Sequence, residues 1–258
     1  MQKTRKNKLS QLAVFSALIL GIALVAISAV YASSFIAILG VAIVFWSALL
    51  LYIKPVKHVP LALLNASVIS STSNIERILS EANLTEKGRY LPPRYLKNFE
   101  SSIIFIPEQP EQSMPKLEEV TEEKLLSPNR TVVFLTPPGL ALSQLFEKQL
   151  GTSFTKNDLK FVQQKFSELI VERMEIAKTA SLQIQNGRVT IELTGNVLSE
   201  ICQETRNMPR THAQVGCLLS SAIACVLAKA TGKAVTIQKD EQSSDGKTTR
   251  IEYQIIGE

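Results

Sequence analysis

The longest apolar pattern lies near the N-terminus, where the 45 residues between Lys8 and Lys54 carry no charge. One helix of that length would measure roughly 67 Å, about twice the thickness of a bilayer core. Two spans joined by a tight turn fit that thickness instead. The pattern therefore predicts a transmembrane helical hairpin over residues 1–58, with spans at about 12–32 and 35–53.

Basic residues lie on both outer flanks of this hairpin and are absent from its turn at Ser33 and Ser34. The hairpin segment holds six basic side chains and no acidic one. These six are Lys3, Arg5, Lys6, Lys8, Lys54 and Lys57. By the positive-inside rule, this distribution predicts an integral membrane protein whose N- and C-termini are both cytoplasmic.

A cleaved signal peptide is the alternative for the first span, since Val30-Tyr31-Ala32 could form a cleavage site after a basic start. The apolar stretch is longer than the roughly 7 to 15 residues of a signal-peptide core. Cleavage would still leave the second span, with its cytoplasmic flank on the C-terminal side.

Residues 59–130 are predicted to connect the hairpin to a folded domain. Apolar residues at helical spacing indicate an amphipathic helix at 61–83, and residues 102–106 are typical of a strand. The stretch 107–130 contains four prolines and six glutamates, and we interpret it as a flexible acidic loop. A connection of this length is either functional or disordered.

The next elements mix strand and helix. A strand at 131–135 could pair with the preceding strand. A helix at 139–150 is expected to end at Gly151. The sequence Thr155-Lys-Asn-Asp158 resembles a capping box that opens a second helix, ending near Ala180.

The clearest local signal is a β-hairpin of 181–185 and 188–193 around Asn186-Gly187, the dipeptide best suited to a type I′ turn. The remaining elements are a helix capped by Asn196 and ending near Thr205, a helix at 213–230 stopped by Gly232, and a second hairpin of 234–239 and 248–256. Nine apolar positions could line one sheet face: Leu182, Ile184, Val189, Ile191, Val235, Ile237, Ile251, Tyr253 and Ile255. The fold class predicted for residues 131–258 is therefore α+β with antiparallel hairpins.

Composition excludes several classes of protein. The chain is 45% hydrophobic with few glycines and prolines, which is unlike collagen-like, low-complexity or disordered sequences. Its net charge of +5 comes from the hairpin segment, because the other 200 residues hold 22 basic and 23 acidic side chains. No nucleic acid partner is predicted, since that would need a basic surface on the soluble part.

Motifs of the common enzyme classes are absent. Gly232-Lys233 does not belong to a phosphate-binding loop, and the sequence contains no HExxH, GxSxG or CxxC motif. Of the two histidines, His58 lies beside the membrane and His212 in a polar stretch. We therefore predict no catalytic, cofactor-binding or metal-binding residue, and an enzyme is the less favoured class.

A second uncharged stretch, residues 211–228, is diluted by polar side chains, and its insertion would move the final hairpin to the outside, which argues against a third span. Small residues recur there at helical spacing and would let another backbone or a flat ligand approach closely. Ordinary packing of a core helix is the alternative. The candidate pocket-lining residues are Cys217, Ser221, Cys225, Gly216 and Ser220.

The order helix, helix, hairpin, helix, helix, hairpin over residues 139–256 resembles the core of the TRAPP vesicle-tethering subunits and of the related 4-vinyl reductase domain. The local likeness lies in Gly216-Cys217, in Ala230-Thr-Gly-Lys-Ala-Val235 and in the closing strands. The segments Tyr90-Leu-Pro-Pro93 and Leu135-Thr-Pro-Pro-Gly139 also resemble those of uncharacterised archaeal membrane proteins.

The resemblance implies a fold that binds hydrophobic or small ligands or serves as an assembly surface. The 4-vinyl reductase pattern places cysteines around the last hairpin, and residues 226–258 have none, so no metal or tetrapyrrole role is carried over. Our hypothesis is a membrane-anchored, non-enzymatic cytoplasmic module for hydrophobic-ligand sensing or protein–protein assembly, including a homodimer. The alternative is a membrane-associated enzyme acting on a lipid or other hydrophobic substrate, with Cys217, Ser221 or Cys225 at its pocket.

Overall fold

The computed structural model describes residues 2–31, 33–52, 61–93, 102–109 and 133–257, without the side chains of residues 2–13, 51 and 61–64. The chain divides into two compact units, Met1–Val59 and Pro60–Glu258. The predicted boundary between residues 130 and 131 does not coincide with this division, because strands on both sides of it share one sheet. Residues 110–130 of the predicted acidic loop lie outside the described residues.

The first unit is a pair of antiparallel helices, α1 (Gln2–Tyr31) and α2 (Ser34–Tyr52), as the hairpin pattern predicts. The two backbones approach closely at glycines. A methyl group on Gly21 would lie 3.0 Å from the backbone nitrogen of Val44, and one on Gly40 would lie 2.9 Å from that of Val25. Gly21 therefore serves packing within the helix pair.

Two helical stretches in the described part of the chain are long and apolar enough to cross a membrane, Val14–Tyr31 and Pro209–Thr231. Ser34–Leu50 in α2 is also apolar but shorter. Pro209–Thr231 is mostly buried inside the second unit, as a core helix would be. Its burial agrees with the prediction that this stretch is not a third span.

The second unit is an α+β fold, which confirms the predicted class. Its helices are α3 (Leu61–Ala82), α4 (Leu140–Leu150), α5 (Leu159–Ser167), α6 (Ser199–Arg206), α7 (Pro209–Gln214) and α8 (Leu218–Thr231). Its strands are β1 (Arg89–Leu91), β2 (Ile103–Ile106), β3 (Val133–Leu135), β4 (Thr179–Gln185), β5 (Arg188–Thr194), β6 (Ala234–Gln242) and β7 (Thr248–Ile256). They form one antiparallel sheet in the order β3-β2-β1-β6-β7-β5-β4.

The predicted strand pairings are present. Positive φ angles of 48° at Asn186 and 74° at Gly187 give the type I′ turn between β4 and β5. Strand β2 pairs with β3, and β6 pairs with β7. Strand β6 is longer than predicted because a bulge between Ile237 and Lys239 lets pairing continue to Gln242.

Several predicted helix boundaries are wrong. Thr155 lies in a short 3-10 turn, and Asp158 caps α5 instead by accepting a hydrogen bond from the N–H of Phe161 at 2.9 Å. This helix continues only as a π-helical segment, Glu168–Arg173, because pairing with β5 makes the chain extended from Thr179.

The predicted helix at 213–230 is interrupted at Gly216, whose φ of +79° separates α7 from α8. Asn196 does not cap α6 directly. Its side chain accepts a hydrogen bond from the N–H of Leu198 at 2.9 Å, and Leu198 is the residue directly before the helix.

Helix α8 lies at the centre of the core, and every residue from Leu219 to Lys229 is buried. The nine apolar strand positions predicted to share a face all belong to the hydrophobic cluster that contains α8 or pack against it. One sheet face therefore covers α8, and most candidate pocket residues lie on this helix.

Candidate functional site

The five candidate pocket residues lie at and after the break before α8, and all are buried. Gly216 precedes the helix and Cys217 is its N-terminal cap, so neither belongs to a helical stripe. A methyl group on Gly216 would lie 2.6 Å from both the Ser220 hydroxyl oxygen and the Ile237 Cδ1 atom. The space around Gly216 is therefore filled by protein.

Ser220 forms a capping arrangement with Cys217. Its hydroxyl oxygen accepts a hydrogen bond from the N–H of Cys217 at 2.8 Å and lies 3.4 Å from the Cys217 sulfur. The hydroxyl of Tyr253 donates to the carbonyl oxygen of Ser220 at 3.0 Å. The Cys202 thiol lies beside that of Cys217. These contacts fix the start of α8 against the sheet.

Ser221 bonds to the loop before α4. Its hydroxyl oxygen accepts a hydrogen bond from the N–H of Gly139 at 3.0 Å. A methyl group on Gly139 would lie 2.0 Å from the backbone nitrogen of Ala222 and 2.5 Å from the carbonyl oxygen of Leu218. The chain around Gly139 thus occupies the space beside Ser221.

The thiols near α8 are poorly suited to nucleophilic chemistry. Burial raises the pKa of the Cys217 thiol well above its ordinary value, and the neighbouring Cys202 adds to this shift. Burial also raises the pKa of Cys225 to about 12. Because the thiolate is the reactive form, both side chains are unreactive at neutral pH.

Alkylation of the folded chain should therefore stay slow at Cys225 as the pH is raised from 7 to 9. A pKa of about 12 leaves on the order of one thiol in a thousand ionised at pH 9, whereas an ordinary cysteine is mostly ionised there. Because the folded-state pKa is the higher one, this group favours folding below about pH 9 and loses that contribution at higher pH. The rate of alkylation at Cys225 is measured by mass spectrometry after maleimide treatment, with the urea-unfolded chain as the control. Native labelling as fast as that of the control would contradict this expectation.

Neither of two cavities in the described part of the chain is lined by the five candidate residues. An apolar crevice between α4, α5 and α8 has a volume of about 10 Å³, roughly what one water molecule needs. A polar depression of about 200 Å³ lies on the sheet face away from α8 and is open to solvent. It is lined by Gln183, Gln185, Arg188, Thr190, Glu192 and Arg250.

A buried ion pair that sequence reasoning missed lies between α6 and β6. Arg206 Nη2 is 3.2 Å from Asp240 Oδ1, and the side chains are 15% and 2% exposed. Arg206 also donates to Gln242 at 2.7 Å, whereas Asp240 Oδ2 and Arg206 Nε have no hydrogen-bond partner in the described part of the chain. The bulge in β6 turns Asp240 toward the core, and simple alternation along the strand gives no sign of it.

Comparison with known proteins adds one finding. Neither curated proteins nor solved structures provide a match to this chain. The sequence family described as Domain of unknown function (DUF7982) matches residues 1–254. Since the match spans almost the entire sequence, the chain belongs to the DUF7982 family.

Proposed function

We propose that this chain is a membrane-anchored, non-enzymatic module. Helices α1 and α2 hold it in a lipid bilayer, and the second unit acts on the cytoplasmic side by binding other proteins. The proposal retains protein–protein assembly from the sequence-based hypothesis and gives hydrophobic-ligand sensing second place.

The proposed membrane anchor rests on which side chains the helix pair buries and which it exposes. Its buried positions are small or hydroxylated, namely Gly21, Ser28, Gly40 and Ser47. Large hydrophobic side chains point outward, and eight of them are more than 60% exposed: Ile19, Val30, Tyr31, Phe35, Ile38, Phe45, Trp46 and Tyr52. An exposed apolar surface of this extent is unfavourable in water but is what lipid-facing helices present.

The cytoplasmic placement of the second unit rests on charge. Basic residues flank both ends of the apolar pair, and none lies between Lys8 and Lys54. Positive charge is retained on the cytoplasmic side of a membrane, so both flanks belong there.

Binding of proteins is favoured over ligand sensing and over catalysis by the packing around α8. The apolar crevice has room for about one water molecule, so a hydrophobic ligand would require side chains to move. The alternative enzyme would need Cys217, Ser221 or Cys225 to reach a substrate, and all three are buried and in contact with other protein groups. The resemblance to TRAPP subunits points to assembly as well, and it remains a prediction.

The anchor is tested by substituting lysine for an exposed valine in each unit. Val41 in α2 is 58% exposed and Val197 in the second unit is 50% exposed. V41K should impair insertion, since lysine at a span centre opposes it by about 2.5 to 3.5 kcal/mol, whereas V197K should leave it unchanged. Insertion is measured as the protein that stays in membranes after alkaline carbonate washing.

Two results would overturn the anchor or its orientation. The first is complete release of the wild-type chain by carbonate. The second is digestion of the second unit by protease added outside intact cells, since a cytoplasmic unit is protected there and becomes accessible in inverted vesicles.

A further inference from the structure

Strand β4 forms an edge of the sheet and lacks the sequence features that usually protect an edge. Among the described residues it lies at one end of the sheet and pairs only with β5, in a register that runs unbroken over its seven residues. Its sequence, Thr-Ala-Ser-Leu-Gln-Ile-Gln, contains no charge and no proline. Natural edge strands usually carry lysine, proline or a bulge that prevents pairing with another chain.

The backbone groups of three residues in β4 point away from β5. In a hairpin with a two-residue turn, the closing pair, here Gln185 and Arg188, exchanges both hydrogen bonds. Alternate residues therefore direct their N–H and C=O groups outward, and these are Ala180, Leu182 and Ile184. The Gln163 side chain donates to the outward carbonyl of Leu182 at 3.2 Å. No other hydrogen bond to these outward groups is present among the described residues.

We propose that this edge binds the same edge of a second copy of the chain, antiparallel, about a two-fold axis at Leu182. The inference rests on the proposed assembly function and names its surface. About this axis, Leu182 meets Leu182 of the second copy, Ala180 meets Ile184 of the second copy, and Ser181 meets Gln183 of the second copy. Apolar side chains thus face apolar ones on the α8 side of the sheet, and polar ones face polar ones on the other side.

The charge pattern also suits a second copy. The two-fold axis places positions of β4 opposite positions of the same strand, so side chains of one charge sign would repel each other across it, and β4 has no charge. Pairing would give three hydrogen-bonded residue pairs with two bonds each. Each copy would lose the hydrogen bond from Gln163 to Leu182, so dimerisation forms more protein–protein hydrogen bonds than it breaks.

Membrane anchoring makes so small a contact effective. One pair of seven-residue strands buries less than the roughly 1,200 Å² of a stable soluble interface, so the contact is weak between free molecules. Two copies held in one bilayer meet at a raised effective concentration, which can strengthen association by about a hundredfold or more. The dimer is accordingly a membrane-bound state.

The test uses two double variants of the full-length chain that differ at one position. In S181K/Q183K, the two-fold axis places lysine opposite lysine on the solvent face of the strand pair. In S181K/Q183E, it places lysine opposite glutamate twice. Both positions are exposed. The lysine of S181K lies opposite Glu192 of its own chain in both variants, so this contact does not contribute to the difference between them. Thermal unfolding followed by circular dichroism checks that the two variants fold alike.

Dimerisation is measured by Förster transfer between labelled copies in lipid vesicles, at several protein-to-lipid ratios. We expect wild type and S181K/Q183E to associate, and S181K/Q183K to associate about tenfold less tightly or worse. Equal association of the two variants would overturn the edge contact, while leaving assembly through another surface intact. A wild-type chain that resists carbonate but stays monomeric would also overturn it and would leave the anchor standing. Failure of the anchor is seen separately, as release of the wild type by carbonate.

Discussion

Replacing Gly139 with alanine should lower the free energy of unfolding of the second unit by roughly 3 kcal/mol, the upper part of the range for overpacked interiors. The new methyl group would lie 2.0 Å from the Ala222 nitrogen, 2.6 Å from its Cα atom and 2.5 Å from the Leu218 carbonyl oxygen. These are backbone atoms of a buried helix, which cannot move aside as a flexible side chain can. The loop must shift, and the bond from Gly139 to Ser221 weakens with it.

Gly151 provides the matched control. It ends α4 with a φ of +68°, and a methyl group there would meet no atom within 4 Å. G151A should therefore lower stability by about 1 to 2 kcal/mol, through backbone strain alone. Gly139 has an ordinary φ of −86°, so G139A reports crowding alone. Pulse proteolysis of the full chain in vesicles across a urea series measures both, and an equal or smaller loss for G139A would contradict the close packing.

The contrast between these glycines shows which features a sequence can reveal. Gly151 and Gly232 follow apolar helical patterns, and each is found in the left-handed conformation expected at a helix end. The Asn186-Gly187 turn is equally local. Gly139 has no such signal. Only a residue without a side chain fits there, and this requirement is set by the backbone of Ala222, more than eighty residues away.

Features set by distant pairing were missed for the same reason. Strand β1 joins the sheet by pairing with β6, across the predicted boundary between a connecting segment and a domain. For the candidate site, the small residues of the uncharged stretch were expected to let another backbone or a flat ligand approach. Only the structure shows that the loop at Gly139 approaches α8.

The last expectation concerns the buried ion pair of Arg206 and Asp240. R206M should lower the free energy of unfolding by about 3 to 5 kcal/mol, as removal of one partner from a buried pair does. Asp240 is 2% exposed, and Arg206 supplies its hydrogen bond. Without Arg206, the carboxylate would be buried with neither oxygen bonded. As a control, R250M removes an arginine that is 54% exposed and paired at the surface, and should change stability little.

A second substitution separates the loss of an attraction from the burial of an unpaired charge. Asp240 lies opposite Ile251 on the core side of the sheet, so leucine at this position would face apolar neighbours. The double variant R206M/D240L should recover most of the loss, because replacing a buried pair by apolar side chains is often neutral or stabilising. Urea unfolding of the wild type, both single variants and the double variant completes the cycle. If R206M/D240L were as unstable as the two single variants combined, the two side chains would act independently, and the bulge that turns Asp240 inward would have some other role.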